Sequence, residues 1–180
     1  RGLGTGRAGG VMAGVVYQLS AFFVTSAVFP MIIAAAAWLP LVLLAVEFVV
    51  QQRLALRGRP ATLPWVVVGA GALGCNLLAG HVEITYYVLL IAGYYAAARL
   101  LWVWWSGRKT GGIWRRVAGR GLWLVALVGL GIGLGAIQFI PLFELANMNY
   151  RDGSASLEQV QNWAHPLRDV VQFVLPNFYG

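Results

Sequence analysis

Five nearly uninterrupted apolar stretches organise this chain: Val11–Phe29, Met31–Val50, Ala61–Ala79, Ile84–Trp105 and Gly121–Phe143. Each has about the 20 residues a helix needs to cross roughly 30 Å of hydrocarbon. The connections between them alternate in charge. One set is basic: Arg1 and Arg7, then Arg53, Arg57 and Arg59, then Arg108, Lys109, Arg115, Arg116 and Arg120. The other set, Pro30 and the Gly80-His81-Val82-Glu83 turn, has neither Lys nor Arg. Positively charged loops stay on the cytoplasmic side of a membrane. The pattern predicts an all-α fold, a polytopic integral membrane helix bundle of about five transmembrane helices. Its amino end is cytoplasmic and its carboxyl end outside. Residues 1–145 form the bundle, with spans at 11–29, 31–50, 61–79, 84–105 and 121–143. Residues 146–180 form an outward-facing segment with short amphipathic helices.

Composition supports lipid as the solvent. The chain is 59% hydrophobic and 11% charged, against about 25% charged in soluble domains. The net charge of +7 sits mostly in the short inward loops, where topology and anionic headgroups account for it. No basic face interleaved with polar residues points to nucleic acid. Cys75 is the single cysteine, so no disulfide forms within the chain. The chain begins at Arg1 without methionine and stops within an outward segment, and we read it as an internal piece of a longer polytopic protein.

Within the spans, polar and helix-breaking residues mark the packed faces. Tyr17, Gln18 and Ser20 suit contact with neighbouring helices. Pro40 removes a backbone hydrogen bond and predicts a kink, tolerable where neighbours satisfy the freed carbonyl. The third stretch carries Gly69, Gly71 and Gly74, and the fifth Gly129, Gly131, Gly133 and Gly135; such spacing lets helices approach closely. Trp102, Trp104, Trp105, Trp114 and Trp123 flank the basic inner loop, while Tyr86, Tyr87, Phe139 and Phe143 lie near the outer surface, as in an interfacial belt. In the tail, Ser156 with Gln159 resembles a capping box. Leu167, Val170, Val171 and Val174 form a stripe that predicts an amphipathic helix.

Three constellations bear on chemistry. Val66 to Gly74 matches a glycine-rich dinucleotide fingerprint, but it lies inside an apolar run without the strand and later acidic residue that motif needs. It reads as a small-residue transmembrane helix. Glu47 and Arg99 lie inside apolar runs at a shared depth near the inner end. They either pair across the second and fourth spans or snorkel separately; both roles are structural. On the outer side lie His81, Glu83, Glu144, Arg151, Asp152 and His165 among other polar residues. Carboxylates there can act as general bases or hold a divalent cation, and arginine can clamp phosphate. His81 and Glu83 are the leading substrate-binding candidates, with Arg151 and Asp152 next. Their spacing matches no recognised metal motif.

Four segments carry a family resemblance: Trp38-Leu39-Pro40-Leu41 running to Glu47, Leu78-Ala79-Gly80-His81 with Tyr86-Tyr87, Gln138-Phe139-Ile140-Pro141 running to Leu145, and Leu175-Pro176-Asn177-Phe178-Tyr179-Gly180. In this order they resemble an internal section of the YfhO-like family of bacterial polytopic membrane proteins. That family is similar to glycosyltransferases of the GT-C type that use lipid-linked sugars. The resemblance implies a multi-pass protein of the bacterial cytoplasmic membrane with its reaction site outside. It implies a polyprenyl-phosphate sugar donor, a cell-envelope acceptor and further helices as partners. The key acidic residue would lie in an outward loop preceding Arg1. Family members often have His-Pro-Gln in the second turn, and here only His81 matches. The first turn often has Gly-His-Pro, and here only Pro30 matches. The rival readings are a transporter or lipid flippase, and a scaffold subunit without its own reaction.

Overall fold

The computed structural model describes residues 6–52, 54–56, 59–60, 62–109, 111–147, 156–163, 167–173, 175 and 178. The chain divides into two compact units, Arg1–Phe143 and Glu144–Gly180. The described residues of the first unit form helices and turns besides a minimal antiparallel pair, β1 (Leu54–Leu56) with β2 (Arg59–Pro60). Its helices are α1 (Arg7–Gln18), α2 (Ala21–Thr25), α3 (Pro30–Ala36), α4 (Leu39–Gln51), α5 (Thr62–Leu78), α6 (Val82–Gly107) and α7 (Ile113–Asn147), which runs on past Phe143. Among the described residues four helical stretches are long and apolar enough to cross a membrane: Arg7–Val28, Pro30–Gln51, Val82–Gly107 and Ile113–Leu145. The chain therefore has the architecture of a helical membrane protein. The third apolar stretch is the exception. Its helix, α5, has 17 residues, about 25 Å of rise.

The first two apolar stretches are broken helices. Ser20 takes an extended backbone (φ −62°, ψ 150°) between α1 and α2, and a 3₁₀ turn follows at Ser26–Val28. The second stretch breaks at Ala37–Trp38, just before Pro40 in the first turn of α4. A continuous helix would need the N–H of residue 40 to reach the carbonyl of Ala36, and proline has none. The Tyr17 hydroxyl of α1 donates to that carbonyl at 2.8 Å. Beside it, Asn76 Nδ2 of α5 donates to the Ala35 carbonyl at 2.7 Å. The Ala35 carbonyl also accepts from the Trp38 N–H at 3.4 Å, so it is the Ala36 carbonyl that would be left unpaired without Tyr17, at a cost of about 1–3 kcal/mol. The Tyr17 hydroxyl thus makes the proline break tolerable in an apolar setting, and Asn76 ties the adjoining turn to α5.

α4 lies at the centre of this unit. Ala45, Val46, Val49 and Val50 of α4 bury against Val66 of α5 and Leu124 and Leu127 of α7. Val42 of α4 packs with Ala72 of α5 and Ala92 of α6, and Ala35 and Ala36 of α3 pack with Ile84 and Val88 of α6. The glycines divide into two sets. A Cβ on Gly131 would lie 2.8 Å from Leu73 Cβ, one on Gly135 2.7 Å from Leu77 Cβ, and one on Gly74 2.9 Å from Leu134 Cβ. Leucines of α5 and α7 therefore seat alternately on glycines of the other helix. Gly71, Gly129 and Gly133 face open space. The glycine-rich fingerprint lies within the unbroken helix α5, with no strand or phosphate-binding turn.

The second unit holds α8 (Leu157–Trp163) and a 3₁₀ segment, Leu167–Phe173. Leu167, Val170 and Val171 of the stripe expected on an α-helix thus fall on a tighter 3₁₀ coil, and Val174 lies outside the described residues. Such coils are used in short pieces, and this one sits between Pro166 and Pro176.

Candidate functional site

The candidate outer site begins at a backbone device. Gly80 sits at φ +76°, a left-handed conformation that glycine adopts without a Cβ penalty. This reverses the chain between α5 and α6. His81 follows in an extended conformation as the N-cap of α6. Its Nδ1 accepts from the Ile84 N–H at 3.3 Å, satisfying one of the donors a helix start leaves open. The Thr85 hydroxyl donates to the His81 carbonyl at 3.2 Å. With Nδ1 accepting, the neutral ring carries its proton on Nε2. That N–H is the group His81 can offer to a ligand.

Glu83 is exposed in the first turn of α6, where the helix macrodipole favours a negative charge. The Tyr87 hydroxyl, one turn on, donates to Glu83 Oε1 at 3.2 Å. Tyr87 also lines an apolar cleft of about 220 Å³ with Tyr17, Phe22, Phe23, Ile84 and Val88. A carboxylate and an imidazole thus stand at the start of an apolar helix beside an apolar cleft. Gln138 of α7 adds a third polar group: its Nε2 lies 3.6 Å from where a Cβ on Gly80 would stand. Sequence reasoning quoted Gln138 only as part of a motif. The signal that could have found it is its being the one amide within the stretch from Gly121 to Phe143.

Arg151 and Asp152 lie outside the described residues. Among the described residues, no group of three or more His, Cys, Asp or Glu side chains could hold a metal ion.

Glu47 and Arg99 are paired. Arg99 Nε lies 2.7 Å from Glu47 Oε2, and Nη2 lies 2.7 Å from Oε1, a bidentate fork linking α4 to α6. Tyr95 donates to Oε2 at 2.9 Å, and Gln51 Nε2 donates to Oε1. Each carboxylate oxygen therefore accepts two hydrogen bonds. Glu47 is 2% exposed, so this full set of donors is what makes its charge tolerable. Lys could not replace Arg99 here, because only a planar guanidinium offers the matching fork. The network is saturated, leaving the carboxylate no lone pair for a ligand, and its role is to join two helices. No family model, curated protein or solved structure matches the chain.

Proposed function

We propose that this chain is part of a membrane glycosyltransferase that moves a sugar from a polyprenyl-phosphate donor to a cell-envelope acceptor, on the outer face of a bacterial cytoplasmic membrane. The observation that carries the reading is the α6 entry. There a fixed cap holds the His81 imidazole, and the Glu83 carboxylate stands two residues on, at the end of a long apolar helix. The YfhO-like sequence pattern supplies the reaction class. In this reading all five apolar stretches cross the bilayer, with the amino end inside and the carboxyl end outside. α5 crosses despite its length, since a short span is accommodated by local thinning of the bilayer.

The acceptor hydroxyl attacks the anomeric carbon, a carboxylate takes its proton and the polyprenyl phosphate leaves. That carboxylate belongs to an outward loop preceding Arg1. His81 Nε2–H donates to the donor phosphate and Glu83 orients the acceptor, with Arg151 and Asp152 as further contacts. A divalent cation, if held by Glu83 and Asp152, would supply positive charge to stabilise the leaving phosphate. A transporter or flippase is the second reading, favoured by the broken stretch at Ala37–Trp38, since interrupted helices mark transport sites.

Membranes holding the full-length protein test the proposal directly, with radiolabelled polyprenyl-phosphate sugars followed into envelope polymers or lipids. Glu83→Gln removes one charged hydrogen-bond partner and is expected to lower transfer about 10- to 100-fold. His81→Ala removes both cap and ligand contact. His81→Asn keeps a capping oxygen and so isolates the ligand contact; it is expected to fold normally and still lose transfer. Full transfer in Glu83→Gln and His81→Asn would make this turn structural. No protein-dependent transfer with any donor would favour transport or a scaffold.

A further inference from the structure

The cleft beside the α6 entry carries a chemistry that sugar transfer leaves unused. Tyr17, Phe22 and Phe23 line it from α1 and α2, and Ile84, Tyr87 and Ile91 line it from α6, around a volume of about 220 Å³. Its rings are held by edge-to-face contacts. Tyr17 and Phe23 lie 5.0 Å apart between centroids, and Phe22 and Phe23 lie 5.4 Å apart. Such pairs stabilise beyond the area they bury. Ile84 and Ile91 are two turns apart, about 10 Å along the helix, so the cleft is elongated. Phe22 and Ile91 are each 43% exposed, which leaves it open along its side.

The end of the cleft nearest the start of α6 is negative. The Tyr87 hydroxyl donates to Glu83 Oε1 at 3.2 Å, which puts the carboxylate at the cleft's edge. Glu83 forms no ion pair among the described residues, where the pair formed is Glu47 with Arg99. No Lys or Arg occurs from Ala8 to Gln52 or from Pro60 to Ala98, the segments that hold α2 to α5 and the first part of α6. Inside the cleft, hydrogen-bonding groups are few. The Tyr17 hydroxyl is engaged with the Ala36 carbonyl and the Tyr87 hydroxyl with Glu83. Apart from Ser20 the other lining residues are apolar.

A ligand matched to this cleft carries positive charge, few N–H donors and an apolar portion. We propose that the cleft binds an amphiphile with a quaternary ammonium head, the head beside Glu83 and Tyr87 and the chain running along α6 toward Ile91. Aromatic rings attract such a cation through their electron-rich faces, and the Glu83 carboxylate supplies the opposite charge. A primary ammonium brings three donors, and unpaired donors in an apolar cleft are costly. Within the cleft an anion would meet Glu83 with no counter-charge beside it. Val88 and Ile91 at the far end bury the first carbons of the chain, which a head without a chain would forgo. The inference goes beyond sugar transfer, and it rests on that reading only in so far as the ligand is taken as the acceptor that Glu83 orients.

The test uses the full-length protein in neutral maltoside micelles with no sugar donor present, so that binding and transfer can fail separately. The probe is an alkyltrimethylammonium with a photoactivated diazirine in its chain, and crosslinked peptides are mapped by mass spectrometry. Labelling is expected on α6 around Val88 and Ile91 and on α2 around Phe22, and dodecyltrimethylammonium should compete it away. Dodecyl sulfate, dodecylammonium and choline should each compete at least about fivefold less well. Glu83→Gln is expected to lower labelling about fivefold, an exposed ion pair being worth up to about 1 kcal/mol. Tyr87→Leu removes a ring and should lower it about as far, while Tyr87→Phe should keep most of it. Ile91→Trp fills the far end and should abolish labelling there. Unchanged labelling in Glu83→Gln and Tyr87→Leu would overturn the site. Equal competition by dodecyl sulfate would reduce the cleft to an unselective apolar surface, by dodecylammonium would overturn the quaternary head, and by choline would overturn the amphiphile. Selective labelling without sugar transfer would leave this inference standing and remove the transfer reading; transfer without selective labelling would do the reverse.

Discussion

Arg99→Leu is expected to destabilise the helical unit by about 3–5 kcal/mol, the usual cost of leaving a buried charge without its partner. Glu47 keeps only Tyr95 and Gln51 in that variant, and two neutral donors do not replace a bidentate guanidinium. The double replacement Arg99→Leu with Glu47→Gln should recover most of the loss. The glutamine is neutral, and Tyr95 remains to bond its oxygen. The measurement is a double-mutant cycle on unfolding in mixed micelles. A large coupling between positions 47 and 99 is the expected result; additive losses would contradict the account. Arg99→Lys should fall between, since an ammonium restores charge without the fork.

The second large effect concerns the glycines of α5 and α7. Gly135→Ala and Gly131→Ala each put a methyl group under 3 Å from the Cβ of Leu77 or Leu73. A Cβ cannot swing aside as the end of a side chain can, so the two helices must separate. Each substitution is expected to cost about 1–3 kcal/mol, and Gly135→Leu should prevent the close approach of the helices altogether. Gly129→Ala and Gly133→Ala carry the same change in helix propensity on the open side. They should be neutral or slightly stabilising, because alanine is the better helix former. Comparing the four unfolding midpoints in one detergent isolates packing from propensity. Equal effects at all four positions would contradict the leucine-on-glycine contact.

What could be read from the residues, and what could not, follows from the range of each force. Apolar runs and charge alternation are local, so the long helices and the Glu47–Arg99 depth match were legible without coordinates. Pro40 announced a kink, because a missing N–H is a property of one residue, and the structure turns it into a full break at Ala37–Trp38. Which groups brace that break was not legible. Tyr17 and Asn76 reach Ala36 and Ala35 from 19 and 41 positions away, and nothing local links them. The glycine spacing likewise suggested contact but offered two rows of equal merit. Only the position of α5 decides that Gly131 and Gly135 meet leucines while Gly129 and Gly133 do not. The interruption at Leu19–Ser20 was missed because Ser20 is compatible with both a helix interior and an N-cap. At the candidate site, His81 was noticed for its chemistry, whereas its capping bond depends on the left-handed Gly80 before it. The Gln138 amide reaches that turn from another helix, and that proximity had no signature beyond its polarity.

The outer-face reading depends on the α6 entry and the α6–α7 turn lying on opposite sides of the bilayer. Single cysteines can report this directly. With Cys75→Ser as background, Val82→Cys marks the start of α6 and Gly111→Cys marks the α6–α7 turn, both at exposed positions. A membrane-impermeant thiol reagent is added to intact cells and then to permeabilised ones. The account predicts labelling of the Val82→Cys variant in intact cells, and of the Gly111→Cys variant only after permeabilisation. Labelling of both from outside, or of the Gly111→Cys variant alone, would contradict it.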